Sequence, residues 1–295
     1  LLHTACERGA TAYPYTLVHD IEIVNGRVQS VDTTQGRIRT EIVVAATGIW
    51  SPRIGRMVGV SIPLVPMQHQ WIMTEPLPEL ARTVPNLRDP DKLVYFRQDG
   101  QGLVVGGYER NPVAFAVDAI PDNANPTVHA FDDARFAGLM EASKQRIPSL
   151  HNIALTKRVN GLESFTPDGE FILGEAPGLR GFWVACGFCA HGVSGSGGVG
   201  KVMADWIVEG DPGLDMWHMD IRRFGSYAAS RRYISTRVHE VYSTYYDISY
   251  PALERSSARK LRLSPLYQRL TELGAVFGEK AGWERPNWFT SNESL

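Results

Sequence analysis

Between Gly181 and Ile207 the sequence GFWVACGFCAHGVSGSGGVGKVMADWI passes from an unbroken apolar run, through a glycine-rich turn, into a segment whose first turn is almost bare backbone. This pattern predicts a buried strand followed by a helix. A helix start without side chains presents its N-terminus to a ligand with electron-rich or anionic atoms. Two nucleotide signatures overlap here. A phosphate loop from Gly195 to Lys201 needs Ser or Thr at the next position to hold magnesium, and Val202 stands there, which argues against triphosphatase chemistry. A dinucleotide fingerprint over Gly195-Ser-Gly197-Gly-Val-Gly200 should follow its strand at once and lead to a second strand with an acid near its end. Here the glycines begin well past Cys186, and the helix runs out into Gly210-Asp-Pro-Gly213 and a stretch without a core-strand pattern. Two readings remain: a close helix–sheet contact that tolerates only glycine, and a helix dipole aimed at a cofactor ring.

A chain of 295 residues with 43% hydrophobic content can bury a sizeable core, in one large domain or two modest ones. The net charge of −2 offers no basic field for nucleic acid. No segment approaches the roughly eighteen apolar residues of a membrane span. The expectation is a soluble protein that binds neither nucleic acid nor membrane. The three cysteines, Cys6, Cys186 and Cys189, are too few for a disulfide framework and suit a reducing compartment. Cys186-Gly-Phe-Cys189 has redox spacing, but it closes a strand where a redox dithiol opens a helix. No metal site is expected.

Leu1 to Ala12 reads as a helix leading into a strand. Leu17 to Val24, Arg27 to Asp32 and Arg37 to Val44, with turns at Asn25-Gly26 and Gln35-Gly36, form a three-strand meander. The last of these feeds Glu41-Ile-Val-Val-Ala-Ala-Thr-Gly48, a short apolar strand whose glycine lets backbone approach something flat and large, unless it is a plain buried strand ending in a turn. After Pro52 the strands His69 to Met73, Leu93 to Arg97 and Leu103 to Tyr108 suggest an antiparallel sheet. Glu109 to Thr127 is a loop with the length of a lid. Phe131 to Arg146 has helical spacing, with Phe136, Leu139 and Met140 on one side, and Pro148 closes it. Ile153 to Glu163 returns as a strand, and Thr166-Pro-Asp-Gly169 turns the chain back. In the last eighty or so residues, Tyr233, Tyr242, Tyr245 and Tyr246 are packing anchors on a strap between domains, and Leu263 to Leu273 is a helical patch.

The runs VVAATGIWSPRIGRMVGVSIPLVPMQHQWIMTEPLP, LVYFRQDGQGLVVGGYE, NGLESFTPDGEFILGEAPGLRGFWVACGF and GAVFGEKAGWERPNWF occur in this order. Together they resemble the dimethylglycine oxidase, dimethylglycine dehydrogenase and sarcosine dehydrogenase family, flavoenzymes that oxidise N-methylated amino acids. The resemblance covers nearly the whole chain. It implies an α+β or α/β fold: a partial glutathione-reductase-like FAD-binding domain over residues 1–60 and 155–214, an antiparallel substrate-binding domain inserted over 61–154, and a linker over 215–295. It also implies that the chain is the middle of a longer protein. The dinucleotide fingerprint, and in many members a histidine bonded to the flavin, belong to a preceding part. A folate-binding aminomethyltransferase-like domain, through which tetrahydrofolate would enter, follows Trp288-Phe289.

Residue by residue, the resemblance matches Val18 to a backbone contact on the adenine side of FAD. It matches Ala46, Thr47, Gly48 and Trp50 to the strand end beside the dinucleotide, and Gly187, Phe188, Gly192, Val193 and Ser194 to the loop and helix start near the isoalloxazine. His69 and Tyr95 match the two active-site residues of the dimethylglycine oxidase branch. Read from the residues alone, His69 is either a hydrogen-bonded structural histidine or a base. Amine oxidation requires a free nitrogen lone pair, so a base must accept the ammonium proton. His69 is the natural acceptor, with Tyr95 orienting the amine or bonding to His69. Arg97 is in the first instance an exposed strand arginine, and secondarily a bidentate partner for a substrate carboxylate.

The resulting expectation is FAD-dependent oxidative demethylation of a dimethylglycine- or sarcosine-type amine, with oxygen or an electron-transfer flavoprotein as electron acceptor. The protein is expected in the cytoplasm, or in the mitochondrial matrix of a eukaryote. The alternatives are an amine or amino-acid oxidase with another substrate and a non-catalytic regulatory homologue of the family.

Overall fold

A computed structural model describes residues 1–80, 83–122, 129–251 and 253–292. In chain order its principal elements are α1 (Leu2–Glu7), β1 (Val18–Val24), β2 (Arg27–Thr33), β3 (Gly36–Arg39), β4 (Val43–Ala45), α2 (Ser51–Met57), β5 (Val65–Thr74), β6 (Leu87–Asp89), β7 (Val94–Asp99), β8 (Gly102–Gly107) and α3 (Asp133–Arg146). These are followed by β9 (Leu155–Phe165), β10 (Ile172–Glu175), β11 (Phe182–Cys186), α4 (Gly192–Glu209), α5 (Arg231–Ser243), α6 (Tyr267–Glu272), β12 (Ala275–Lys280) and β13 (Trp283–Phe289).

The meander forms as β1-β2-β3, with Asn25 and Gly26 both at positive φ in the tight turn that favours this pair. Its third strand ends sooner than the expected span to Val44. The Thr40 hydroxyl donates to the Ile42 carbonyl and accepts from the Ile42 N–H, which turns the backbone out of the sheet. The chain re-enters as β4 in a different sheet, of order β10-β11-β4. The strand expected directly after the N-terminal helix does not form, and α1 has no buried residue.

Phe182-Trp-Val-Ala-Cys186 is buried on both faces of its sheet, which is why it reads as an unbroken apolar run. Phe182, Val184 and Cys186 pack with Ile21, Val28 and Ile172, while Trp183 and Ala185 pack with Met203 and Trp206 of α4. β11 pairs in parallel with β4, Val184 facing Ala45. The chain segments that follow the two strands therefore leave from the same sheet edge.

The antiparallel sheet has the order β6-β7-β8-β5-β9. Ile72, Val94, Phe96 and Val105 on one face meet Phe136 and Leu139 of α3, whose N-cap Asp132 accepts from the Arg135 N–H at 3.0 Å. β9 pairs with β5 along its length, from Val65↔Phe165 to Thr74↔Leu155. This sheet therefore extends past the boundary expected at residue 154. Of the Glu109 to Thr127 loop, the part up to Asp122 is fastened to α2, because Arg53 donates to the Val117 and Ile120 carbonyls and to Asp122; residues 123–127 lie outside the described residues. The segment expected as a linker carries more structure than a strap. α5 packs on β5 and β9, and its buried Arg237 pairs with Glu279 of β12 at 2.7 Å.

Candidate active site

Side chains along β5 alternate between faces. Gln68 and Gln70 bond to Arg135, Glu109 and the Asp132 backbone on the α3 side. His69 points the other way, 5% exposed, against Tyr108 and Tyr242. Tyr95 on β7 reaches it across the intervening β8. At the crossing point stands Gly106, the register partner of both Trp71 and Tyr95. A Cβ on Gly106 would lie 2.3 Å from the Tyr95 hydroxyl, so glycine is what lets the phenol pass over the strand. The hydroxyl ends 3.0 Å from His69 Nε2.

The opposite ring nitrogen, Nδ1, lies 2.9 Å from the Tyr242 hydroxyl, which itself stands 3.0 Å from the Gln68 carbonyl. A carbonyl oxygen only accepts, so the Tyr242 proton is directed to Gln68, and its oxygen accepts from His69 Nδ1–H. Neutral His69 is thereby the Nδ1–H tautomer, with the Nε2 lone pair facing Tyr95. Burial raises the pKa of Tyr95, Tyr108 and Tyr242 well above the ordinary phenol value, so all three keep their protons. Glu163 on β9 places Oε2 3.8 Å from Nδ1, and that oxygen is buried without a hydrogen-bond partner.

The second group of expected residues gathers at the edge where β4 and β11 end. Ala46, Thr47, Gly48 and Trp50 follow β4; Gly48 has φ +53° with open space where a Cβ would stand, and its carbonyl accepts from Ser51 Oγ at 2.8 Å. Trp50 Nε1 is buried without a partner. After β11, Gly187 sits at φ +64° and Phe188 packs at a tilt against Phe171, and α4 then starts at Gly192 with no side-chain cap. The first-turn N–H groups of Gly192, Val193 and Ser194 lack intrahelical partners, and Val193 is 96% exposed. The close-contact reading of the glycines holds at one position of the helix start. A Cβ on Gly195 would press on Phe171 at 3.0 Å, whereas at Gly197, Gly198 and Gly200 it would meet open space. Val18 is half-buried at the start of β1.

The two groups are joined through the turn after β11. The Cys189 N–H donates to the Ser164 carbonyl, next to Glu163, and Tyr245 Oη donates to the Cys189 carbonyl at 2.8 Å. Cys189 and Ala190 both have positive φ, a strained turn held by these contacts. Cys186 and Cys189 are buried free thiols whose pKa is pushed up to about 12 by burial, the opposite of a redox dithiol. Among this chain's thiols, alkylation of the native protein followed by peptide mass spectrometry should label exposed Cys6 first; rapid labelling of Cys186 or Cys189 would contradict the described packing. Arg97 is more than half exposed and donates to Asp99 at 3.2 Å, on the same face of β7 as Tyr95.

Three contributors escaped the sequence reading. Tyr242 was visible only as a packing anchor, since nothing local ties it to a histidine 173 residues away. Gly106 could have been noticed as a glycine inside an apolar strand. Glu163 shows no signal beyond its place at a strand end.

The site thus combines a buried imidazole, hydrogen-bonded through Nε2 to the Tyr95 hydroxyl, with a bare helix N-terminus at the carboxyl ends of two parallel strands, the end of an α/β sheet where ligands bind. A family profile described as "FAD dependent oxidoreductase" matches residues 1–206, and one described as "FAD dependent oxidoreductase central domain" matches residues 209–264. The chain belongs to this FAD-dependent oxidoreductase family, and its cofactor is FAD. Mitochondrial sarcosine dehydrogenase of Mus musculus is 39% identical over all of this chain and 32% of its own length. From the same organism, mitochondrial dimethylglycine dehydrogenase is 34% identical over 88% of this chain and 31% of its own, and the mitochondrial pyruvate dehydrogenase phosphatase regulatory subunit is 34% identical over 98% and 33%. The solved L-proline dehydrogenase of P. horikoshii superposes with a TM-score of 0.66 at 26% identity, over 75% of this chain and 57% of that one. The chain spans about a third of the length of these curated relatives. No helix among the described residues is long and apolar enough to cross a membrane.

The residues present fit FAD. The orphaned Trp50 N–H, the uncapped start of α4 and the open glycine surface are groups that a large, flat, electron-rich ligand would satisfy.

Proposed function

We propose that this chain forms the substrate face of an enzyme that oxidatively demethylates an N-methylated amino acid of the sarcosine or dimethylglycine type. The observation that carries the reading is the Nε2 lone pair of His69, buried and 3.0 Å from the Tyr95 hydroxyl. Ala46, Thr47, Gly48 and Trp50, with Gly187, Phe188, Gly192, Val193 and Ser194, would hold FAD, and Val18 would lie on its adenine side. Bound there, FAD supplies the acceptor for a hydride from the N-methyl carbon, and the positive end of α4 favours the charge it gains.

His69 does the preceding step. The substrate ammonium N–H bond breaks, a bond forms between that proton and Nε2, and the electron pair stays on nitrogen, where it can expel the hydride. Tyr95 orients the amine by the same hydroxyl that now contacts Nε2. Arg97 would receive the carboxylate, exchanging a half-exposed contact with Asp99 that contributes little. In this reading residues 1–60 and 155–214 bind FAD and 61–154 bind substrate, with β9 joined to the substrate-side sheet. Oxygen or an electron-transfer flavoprotein takes the electrons, in the cytoplasm or the mitochondrial matrix.

The test is anaerobic mixing of the full-length, FAD-loaded enzyme with sarcosine, dimethylglycine and other N-methyl amines. Bleaching of the flavin band by one of the first two is the expected result. Bleaching only by another amine would reassign the substrate, and a flavin that no amine reduces would favour a non-catalytic regulatory protein.

A further inference from the structure

The side of His69 away from Tyr95 is built from two groups that the proposed chemistry has not yet used. Tyr242 holds Nδ1–H while its own proton is committed to the Gln68 carbonyl. Glu163 keeps a buried carboxylate oxygen unpaired, 3.8 Å from the same nitrogen. Leaving such an oxygen without a partner costs free energy, so a packing role alone does not account for it.

We propose that Tyr242 and Glu163 are positioning residues for His69: the tyrosine fixes the tautomer that leaves Nε2 as the base, and the carboxylate stabilises the ring once Nε2 has taken the substrate proton. This rests on the base reading given above. Without Tyr242, Nδ1 and Nε2 would compete for the proton, and part of the population would present N–H toward the amine. After proton capture the imidazolium has a positive charge shared over both nitrogens. Glu163 then gains an attraction that it lacks beside the neutral ring, and its distance leaves room for a small closing movement. The other groups facing His69 do not offer this. Tyr95 from β7 and Tyr108 after β8 meet the ring as phenols that keep their protons, while the Arg135–Glu109 pair lies on the opposite face of β5. Among the described residues, Glu163 is the carboxylate within 4 Å of the ring.

The test separates rate from binding. In the full-length, FAD-loaded enzyme, Glu163→Gln should lower the limiting rate of flavin reduction about tenfold or more, while flavin content and the amine concentration that half-saturates reduction stay as they were, because the carboxylate acts only once the proton has moved; Glu163→Asp should recover part of the rate. Tyr242→Phe should lower the same limiting rate about tenfold or more by freeing the tautomer. If Tyr242→Phe does not fold, the two Glu163 variants decide alone. A limiting rate that collapses in His69→Gln yet is unchanged in Glu163→Gln overturns this proposal and leaves the base intact. A limiting rate that survives His69→Gln overturns the base assignment and this proposal with it.

Discussion

Replacing His69 with glutamine in the full-length enzyme should leave flavin content and folding close to normal while slowing flavin reduction on the order of 10²–10⁴-fold. The range is that of losing a general base, and it applies because the ring is held at both nitrogens by residues that remain after the change. Tyr95→Phe should cost less, since it removes an orienting hydroxyl and leaves the lone pair in place. Rapid-reaction absorbance of the flavin under anaerobic conditions measures both. The opposite pattern is equally readable: lost flavin and stability with an unchanged reduction rate per bound flavin would make His69 a structural histidine.

The largest effect on stability is expected at Gly181, the hinge into β11. Its φ is +81°, and a Cβ there would stand 1.9 Å from the Glu41 carbonyl, beside the bond by which Val43 N–H meets the Gly181 carbonyl at 2.8 Å. Gly181→Ala therefore adds backbone strain to a steric conflict that neither strand can relieve without parting β4 from β11. The two costs together come to on the order of 3–5 kcal/mol. Gly178 is the control, because it has φ +76° but open space around a Cβ, so Gly178→Ala should cost only the strain, about 1–3 kcal/mol. Thermal unfolding of both variants compares them. Equal losses would show that the approach of residue 181 to Glu41 is looser than described.

Much of this architecture was legible because local chemistry and tertiary burial agreed. An apolar run that cannot face water, followed by glycines, had to be a buried strand feeding a helix, and β11 and α4 are that. Asn25-Gly26 likewise allowed little besides a tight hairpin. The meander's third strand stops short of the expected Val44 because one hydroxyl, on Thr40, outcompetes the ladder. The site was legible by halves. His69 and Tyr95 enter as candidates through resemblance to a family, since a histidine between two glutamines has no periodicity of its own; the structure brings the two into hydrogen-bond contact. Their geometry was beyond reach: it depends on a glycine in the strand between them and on a helix far along the chain, neither of which the local sequence couples to the histidine.

Helix α5 has an engineering consequence. It begins well after the first family profile ends at residue 206, yet it places Tyr242 under the imidazole and Tyr245 against the turn before α4, while Arg237 holds the β12 hairpin. A chimera spliced between relatives at that apparent boundary would pair one parent's histidine with the other parent's tyrosine. A splice that keeps this imidazole within its hydrogen bonds has to carry β5, β7 and α5 together as a single inherited set.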